Sequence, residues 1–214
     1  MISPNDRILT RISDAELERR WSAVRTAMRT QGIDALVMQN TSDWIGGTVR
    51  WFTDLPATNG YPRTVIFYAD EPMTVIEMGP MGKRTAFDKD PLNRGVGEQL
   101  CTPSFVSIVY TQGYDADLAV DALKRRKLKT IGLLGKGGLP HALVAALEQG
   151  LRGTTFVDAT DMVDRIKAIK SPEELDLIRR CATMQDDIFK AVLDVIKPGL
   201  RDICLVVSTR RSPA

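Results

Sequence analysis

Ser13-Asp14-Ala15-Glu16, then Leu17, Trp21, Val24 and Met28, then Gly32 and the run Ile33-Asp34-Ala35-Leu36-Val37-Met38 write a helix, a stop and a strand in succession. Ser13 and Glu16 stand in capping-box positions, where the hydroxyl accepts from the third helical N–H and the carboxylate reaches back. The apolar residues that follow recur at spacings of four and three, one stripe of a helix. Gly32 supplies the left-handed stop. The short apolar run after it reads as a buried strand, and a helix feeding a strand points to an α/β fold.

Working outward, residues 39–62 are rich in turn formers and read as irregular, with Trp44, Arg50, Trp51, Phe52, Tyr61 and Arg63 in or beside them. Arg and Trp in a long loop suit a carboxylate or a partner surface, or else pin the loop to the core. Thr64–Tyr68 and Met73–Met78 read as a hairpin closed by Ala69-Asp70-Glu71-Pro72. A short helix is expected near Arg84–Phe87, with loops around it. Beyond it, strands at Phe105–Tyr110, Thr130–Leu134 and Thr155–Val157 alternate with helices at Asp115–Lys127 and Leu139–Leu147. Together these make a mixed β-sheet flanked by helices.

The second strong local signal is Ser171-Pro172-Glu173-Glu174, with Ser at the N-cap, Pro at the first helical position and Glu three residues past the cap. Leu175, Ile178, Ala182, Phe189, Val192 and Ile196 share one face, interrupted by Gln185, and Pro198-Gly199 ends the helix.

Composition excludes several classes. The 214 residues are 43% hydrophobic and 26% charged, ordinary for a globular chain. Lys plus Arg number 29 against 27 Asp plus Glu, a net charge of +2, so no nucleic-acid or membrane partner is expected. No stretch approaches a membrane span, and Met1–Arg7 lacks a signal-peptide pattern, so the expected location is cytoplasmic. Cys101, Cys181 and Cys204 form no C-x-x-C pair, and disulfide or thiolate zinc frameworks are not expected.

No catalytic constellation is legible. His141 is the one histidine, without a neighbouring nucleophile or carboxylate in sequence. Asp158, Asp161 and Asp164 surround a strand-to-helix junction and read as helix-end acids rather than ligands. Gly135-Lys136-Gly137-Gly138 occupies the place of a phosphate loop but matches neither G-x-x-x-x-G-K-[ST] nor G-x-G-x-x-G, and reads as a flexible turn. Lys124–Lys127 with Lys129 reads as a solvated basic face at a helix end.

Arg165-Ile166-Lys167-Ala168-Ile169-Lys170-Ser171-Pro172-Glu173-Glu174-Leu175-Asp176-Leu177-Ile178-Arg179-Arg180-Cys181-Ala182 resembles the linker and first catalytic-domain helix of the creatinase/prolidase/aminopeptidase P ("pita-bread") family. That family carries Arg-x-x-Lys-Ser-x-x-Glu-[Leu/Ile]-x-x-[Ile/Leu]-Arg-x-x-Ala there. Lys197–Asp202 resembles the turn that follows, with Asp202 where Glu is usual, and Arg25–Val37 resembles the family's opening helix and strand. Trp44–Thr53 departs from the family's Asn-Ile-x-Tyr-Leu-Thr-Gly-Phe wording.

The resemblance implies a ribonuclease H-like N-terminal domain over residues 1–164 and the linker and start of the catalytic domain over 165–214. It implies a non-catalytic role, building a dimer or tetramer and covering a neighbour's active site. Arg50, Trp51, Tyr61 and Arg63 are then candidates for contacts to a partner subunit's substrate. Two divalent metals belong to the family's second domain, and no cofactor is expected in this chain. After Asp202 the resemblance is lost, which suggests a frameshift, an early stop or a genuine short product. The apolar stripe from Pro172 to Lys197 is then expected to pack on another copy, giving a homodimer. The alternative is a stand-alone small-molecule or peptide-binding module, using the Gly135–Gly138 turn or the Trp44–Arg63 loop.

Overall fold

A computed structural model of the chain describes residues 11–40, 47–55, 62–102 and 110–199. Residues through Ala168 form one compact unit and those from Ile169 another. Within the first, α1 (Asp14–Gln31) leads into β1 (Ala35–Asn40), α2 (Gly47–Thr53), β2 (Arg63–Tyr68) and β3 (Met73–Met78). β4 (Arg84–Ala86), β5 (Val96–Thr102), α3 (Tyr110–Lys124), β6 (Thr130–Leu134), α4 (His141–Gly150), β7 (Thr155–Asp158) and α5 (Thr160–Ala168) complete it. The second unit contains α6 (Pro172–Val195).

The strands form one seven-stranded mixed sheet in the order β4-β5-β3-β2-β1-β6-β7. β1, β6 and β7 are mutually parallel, as are β3 and β5, while β2 runs antiparallel to both β1 and β3. Side chains alternate between faces with the period of two that a strand imposes. Leu36, Met38, Val65, Phe67, Met73 and Val75 join Leu17, Trp21, Val24 and Met28 of α1, Phe52 of α2 and Val163 of α5 in one core. Ala35, Val37, Ile66, Tyr68 and Ile76 meet α3 and α4 in the other, around Ala119, Leu123, Leu143 and Leu147. At about 1.5–3 kcal/mol for each large side chain withdrawn from water, these two layers supply the main drive to fold.

The caps behave as the sequence indicates. Ser13 Oγ accepts from the Glu16 N–H at 3.1 Å, and Gly32 closes α1 with φ +66°. At the head of α6 both halves of the capping box are made, Glu174 N–H to Ser171 Oγ at 3.1 Å and Ser171 N–H to Glu174 Oε2 at 2.9 Å.

Four expectations need correction. The stretch taken as irregular contains α2, a helix of seven residues with Val49 and Phe52 buried. Two turns carry only one apolar repeat, so packing on α1 and β1 decides its form. Arg84–Ala86 is an edge strand on β5 rather than a short helix, with Arg84 opposite Leu100 and Ala86 opposite Glu98. β5 itself was hidden by Gly95 and Gly97. Gly97 is needed because a side chain there would lie 2.9 Å from Pro72. Of the strand expected at 105–110, residues 105–109 lie outside the described residues, and Tyr110 opens α3. No helix among the described residues is long and apolar enough to cross a membrane.

Candidate functional site

In an open α/β sheet the carboxyl ends of the parallel strands are where polar chemistry collects. Two sequence-nominated residues lie near that edge or between it and α1. On the face that carries α1, Arg63 donates from Nε to Glu77 Oε2 at 2.6 Å, and Gln99 donates to the other oxygen of Glu77. On the opposite face Gln39 donates to Thr64 Oγ1 at 2.7 Å. Arg63 is buried, 9% exposed, so its charge is spent on Glu77 within the domain. Burial first, and then the Glu77 carboxylate, push the Cys101 thiol above its ordinary range, which leaves it protonated and unreactive.

Trp51 is tied to α1. Its carbonyl accepts from Arg20 Nη1 at 3.1 Å, and the Arg20 guanidinium lies 5.1 Å from its ring centroid. Arg20 in turn donates to Glu16 Oε1 at 2.8 Å, and both side chains are only 4% exposed. Trp21 Nε1 donates to the Phe52 carbonyl at 2.7 Å, a second tie between the same helices. Thus Trp51 and Phe52 pin α2 to the core, while Arg50 beside them is exposed to solvent. Trp44 and Tyr61 lie outside the described residues.

The remaining nominated features are accounted for locally. Asp158 Oδ1 accepts from the Thr160 hydroxyl at 2.6 Å and its N–H at 2.9 Å, bonds that hold the carboxyl below the usual range at the start of α5. Gly135, with φ +71°, donates its N–H to Thr160 Oγ1 at 3.0 Å, so the glycine turn is fastened to α5. His141 is the exposed first residue of α4. Lys124, Arg125, Lys127 and Lys129 are exposed, as expected of a solvated face, and Arg126 is the half-buried exception. Arg126 stacks 4.0 Å over the ring of buried Tyr68 and donates to Glu71 at 2.7 Å, while Arg125 donates to Glu98 at 2.8 Å.

The sequence reading missed a second cluster. Arg94 donates to the Ile12 carbonyl at 2.6 Å, to Asp14 Oδ1 at 2.7 Å and to Asp54 Oδ2 at 2.5 Å. It floors an open cleft of about 740 Å³ between the first turn of α1 and the connection from β4 to β5, with Trp21, Leu17 and Lys89 on its walls. This cleft is lined by neither the glycine turn nor the Trp44–Arg63 stretch. Arg94 lies 80 residues from Asp14, so no local spacing announces the pair.

Among the described residues no group of three His, Cys, Asp or Glu side chains could hold a metal ion.

The fold and these ties define a mixed-sheet α/β domain with helices on both faces of the sheet. The chain belongs to the Creatinase/Prolidase N-terminal domain family, whose model matches residues 20–169. It is 28% identical over 197 residues to a Sinorhizobium fredii protein named uncharacterized hydrolase/peptidase y4tL, covering 88% of this chain and 47% of that one. Among solved structures it is similar in fold to an Xaa-Pro dipeptidase from Bacillus anthracis, with a TM-score of 0.62 and 16% identity over 90% of this chain and 47% of that one. An X-Pro aminopeptidase from Thermotoga maritima gives a TM-score of 0.64 at 12% identity, over 88% of this chain and 47% of that one. The chain thus spans about half the length of the curated relatives it matches over most of its own length.

Proposed function

We propose that this chain acts as the non-catalytic N-terminal domain of an Xaa-Pro peptidase or creatinase-like hydrolase, assembling subunits and covering the active site of a partner. The observation that carries the reading is the family match over residues 20–169 in a chain that spans about half the length of the relatives it matches. Bond cleavage then depends on a second domain, which supplies any divalent metals. Arg50, exposed on α2 and set on a helix locked by Trp51, is the group best placed to reach across to a neighbour's substrate. Arg63 contributes by holding β2 to β3 rather than by meeting the substrate.

The test is complementation. The chain is mixed with the separately expressed catalytic half of the y4tL relative, and hydrolysis of an Xaa-Pro dipeptide is followed. Activity that appears only in the mixture, and falls with Arg50→Ala, supports the reading; hydrolysis by this chain alone would refute it. The cleft between the first turn of α1 and the β4–β5 connection is the place for a second reading, a stand-alone small-molecule or peptide-binding module. That reading expects a saturable thermal shift, because a ligand that binds only the folded state stabilises it.

A further inference from the structure

We infer that the first half of α3 is a proton-operated latch, closed on β5 while Asp115 is neutral and opening, separately from the rest of the domain, once Asp115 loses its proton. The latch goes beyond the hydrolase reading and uses only residues inside the unit that ends at Ala168.

Asp115 is 4% exposed, and Thr102, the last residue of β5, is 5% exposed. Thr102 Oγ1 lies toward the Asp115 carboxyl, yet no hydrogen bond satisfies it, the one such buried side-chain atom among the described residues. Beside Asp115, α3 meets the sheet through Ala116, Ala119 and Ala122, all buried and too short to hold the helix away from the strands.

Among the described residues no charge compensates the carboxyl. On β5, Glu98 is held by Thr74 and Arg125, and Cys101 turns to the opposite face from Thr102. Glu77 of β3 is on that opposite face too, bound by Arg63 and Gln99. The Tyr68 hydroxyl of β2 is shared with Thr74. Asp117, Asp121 and Lys124 on α3 and His141 and Glu148 on α4 are exposed. A carboxylate buried without a partner is costly, so burial raises the Asp115 carboxyl to about 6, with Thr102 the weaker, opposing influence.

The start of α3 is also weak as a helix. Gly113 is exposed, its φ is not positive, and a side chain there would meet nothing within 4 Å. Neither backbone nor packing calls for glycine, which weakens a helix relative to alanine. A weak first turn followed by a buried acid gives ionisation a local outlet. Those turns lift and Asp115 reaches water, while β1, β2 and α1 keep their packing.

Native-state hydrogen exchange of the full 214-residue chain in low urea tests the latch, with no activity assay. Amides of Asp115–Ala119 should have a smaller opening free energy than those of Leu36–Met38, and almost no urea dependence, because local opening exposes little surface. Between the ordinary value near 3.8 and about 6, the open form has lost a proton that the closed form keeps. Opening should therefore rise with pH by about a hundredfold across that window and then level off. Asp115→Asn should abolish the rise. Gly113→Ala, at an exposed position free of contacts, should lower the opening about fivefold at every pH and leave the rise intact. Amides of Asp115–Ala119 that match Leu36–Met38 in opening free energy and urea slope overturn the inference, since α3 then opens only with the whole domain. So does a rise that survives Asp115→Asn, or an opening indifferent to Gly113→Ala.

Discussion

Arg94 Nη2 donates to Asp54 Oδ2 at 2.5 Å across 40 residues of chain, with 14% of the arginine side chain and 4% of the aspartate exposed. The same carboxylate accepts from the Ile12 N–H at 3.1 Å, so the entry to α1, the end of α2 and the β4–β5 connection meet at one pair. Removing one member of a buried pair strands the other charge and costs about 3–5 kcal/mol. Arg94→Ala should therefore lower the free energy of urea unfolding by that order. The double variant Arg94→Ala/Asp54→Ala should lose less than the two single losses added together. A loss below about 1 kcal/mol for Arg94→Ala shows the pair to be ornamental.

Asp115 on α3 is 4% exposed, and burial raises its carboxyl to about 6, with Thr102 pulling weakly the other way. The sign follows from linkage. Between the ordinary value near 3.8 and about 6, the folded state holds a proton that the unfolded chain has lost. The unfolded state binds fewer protons there, so stability falls as pH rises through that window. A shift of this size corresponds to roughly 3 kcal/mol. Asp115→Asn should match wild type near pH 4 and exceed it above about pH 6, and the pH slope of the urea midpoint between them should flatten. Identical slopes in the two proteins would sink this assignment.

What the sequence made legible was whatever rests on near neighbours. Ser13 with Glu16 and Ser171 with Glu174 announce their helices because the bonds they make span three residues. The hairpin of β2 and β3 is equally local. Arg94, Glu77 and Arg126 were invisible because their partners lie far along the chain: Arg126 meets Glu71 across 55 residues. The same reason explains the mixed fate of the nominated site. Arg50 stays exposed on α2, whereas Arg63 is spent on Glu77, a partner that only the β2–β3 register puts beside it. Edge strand Arg84–Ala86 has no pattern of its own, since pairing with β5 alone makes it a strand.

Gly95 and Gly135 share φ +71° but not their surroundings, and the contrast yields a paired prediction. A side chain at Gly135 meets nothing within 4 Å, so Gly135→Ala carries only the left-handed backbone penalty, about 1 kcal/mol. At Gly95 the added carbon lies 2.5 Å from Trp21 Cη2 and 3.0 Å from Met73 Cε. Trp21 cannot swing away cheaply, because its ring is 5% exposed and its Nε1 donates to the Phe52 carbonyl at 2.7 Å. Gly95→Ala therefore adds overpacking of about 1–3 kcal/mol to the backbone strain. Urea unfolding should rank Gly95→Ala well below Gly135→Ala, and the near-ultraviolet signal of Trp21 should change only in the former. Equal losses for the two variants would mean that the contact between Trp21 and the β4–β5 connection does not constrain the fold.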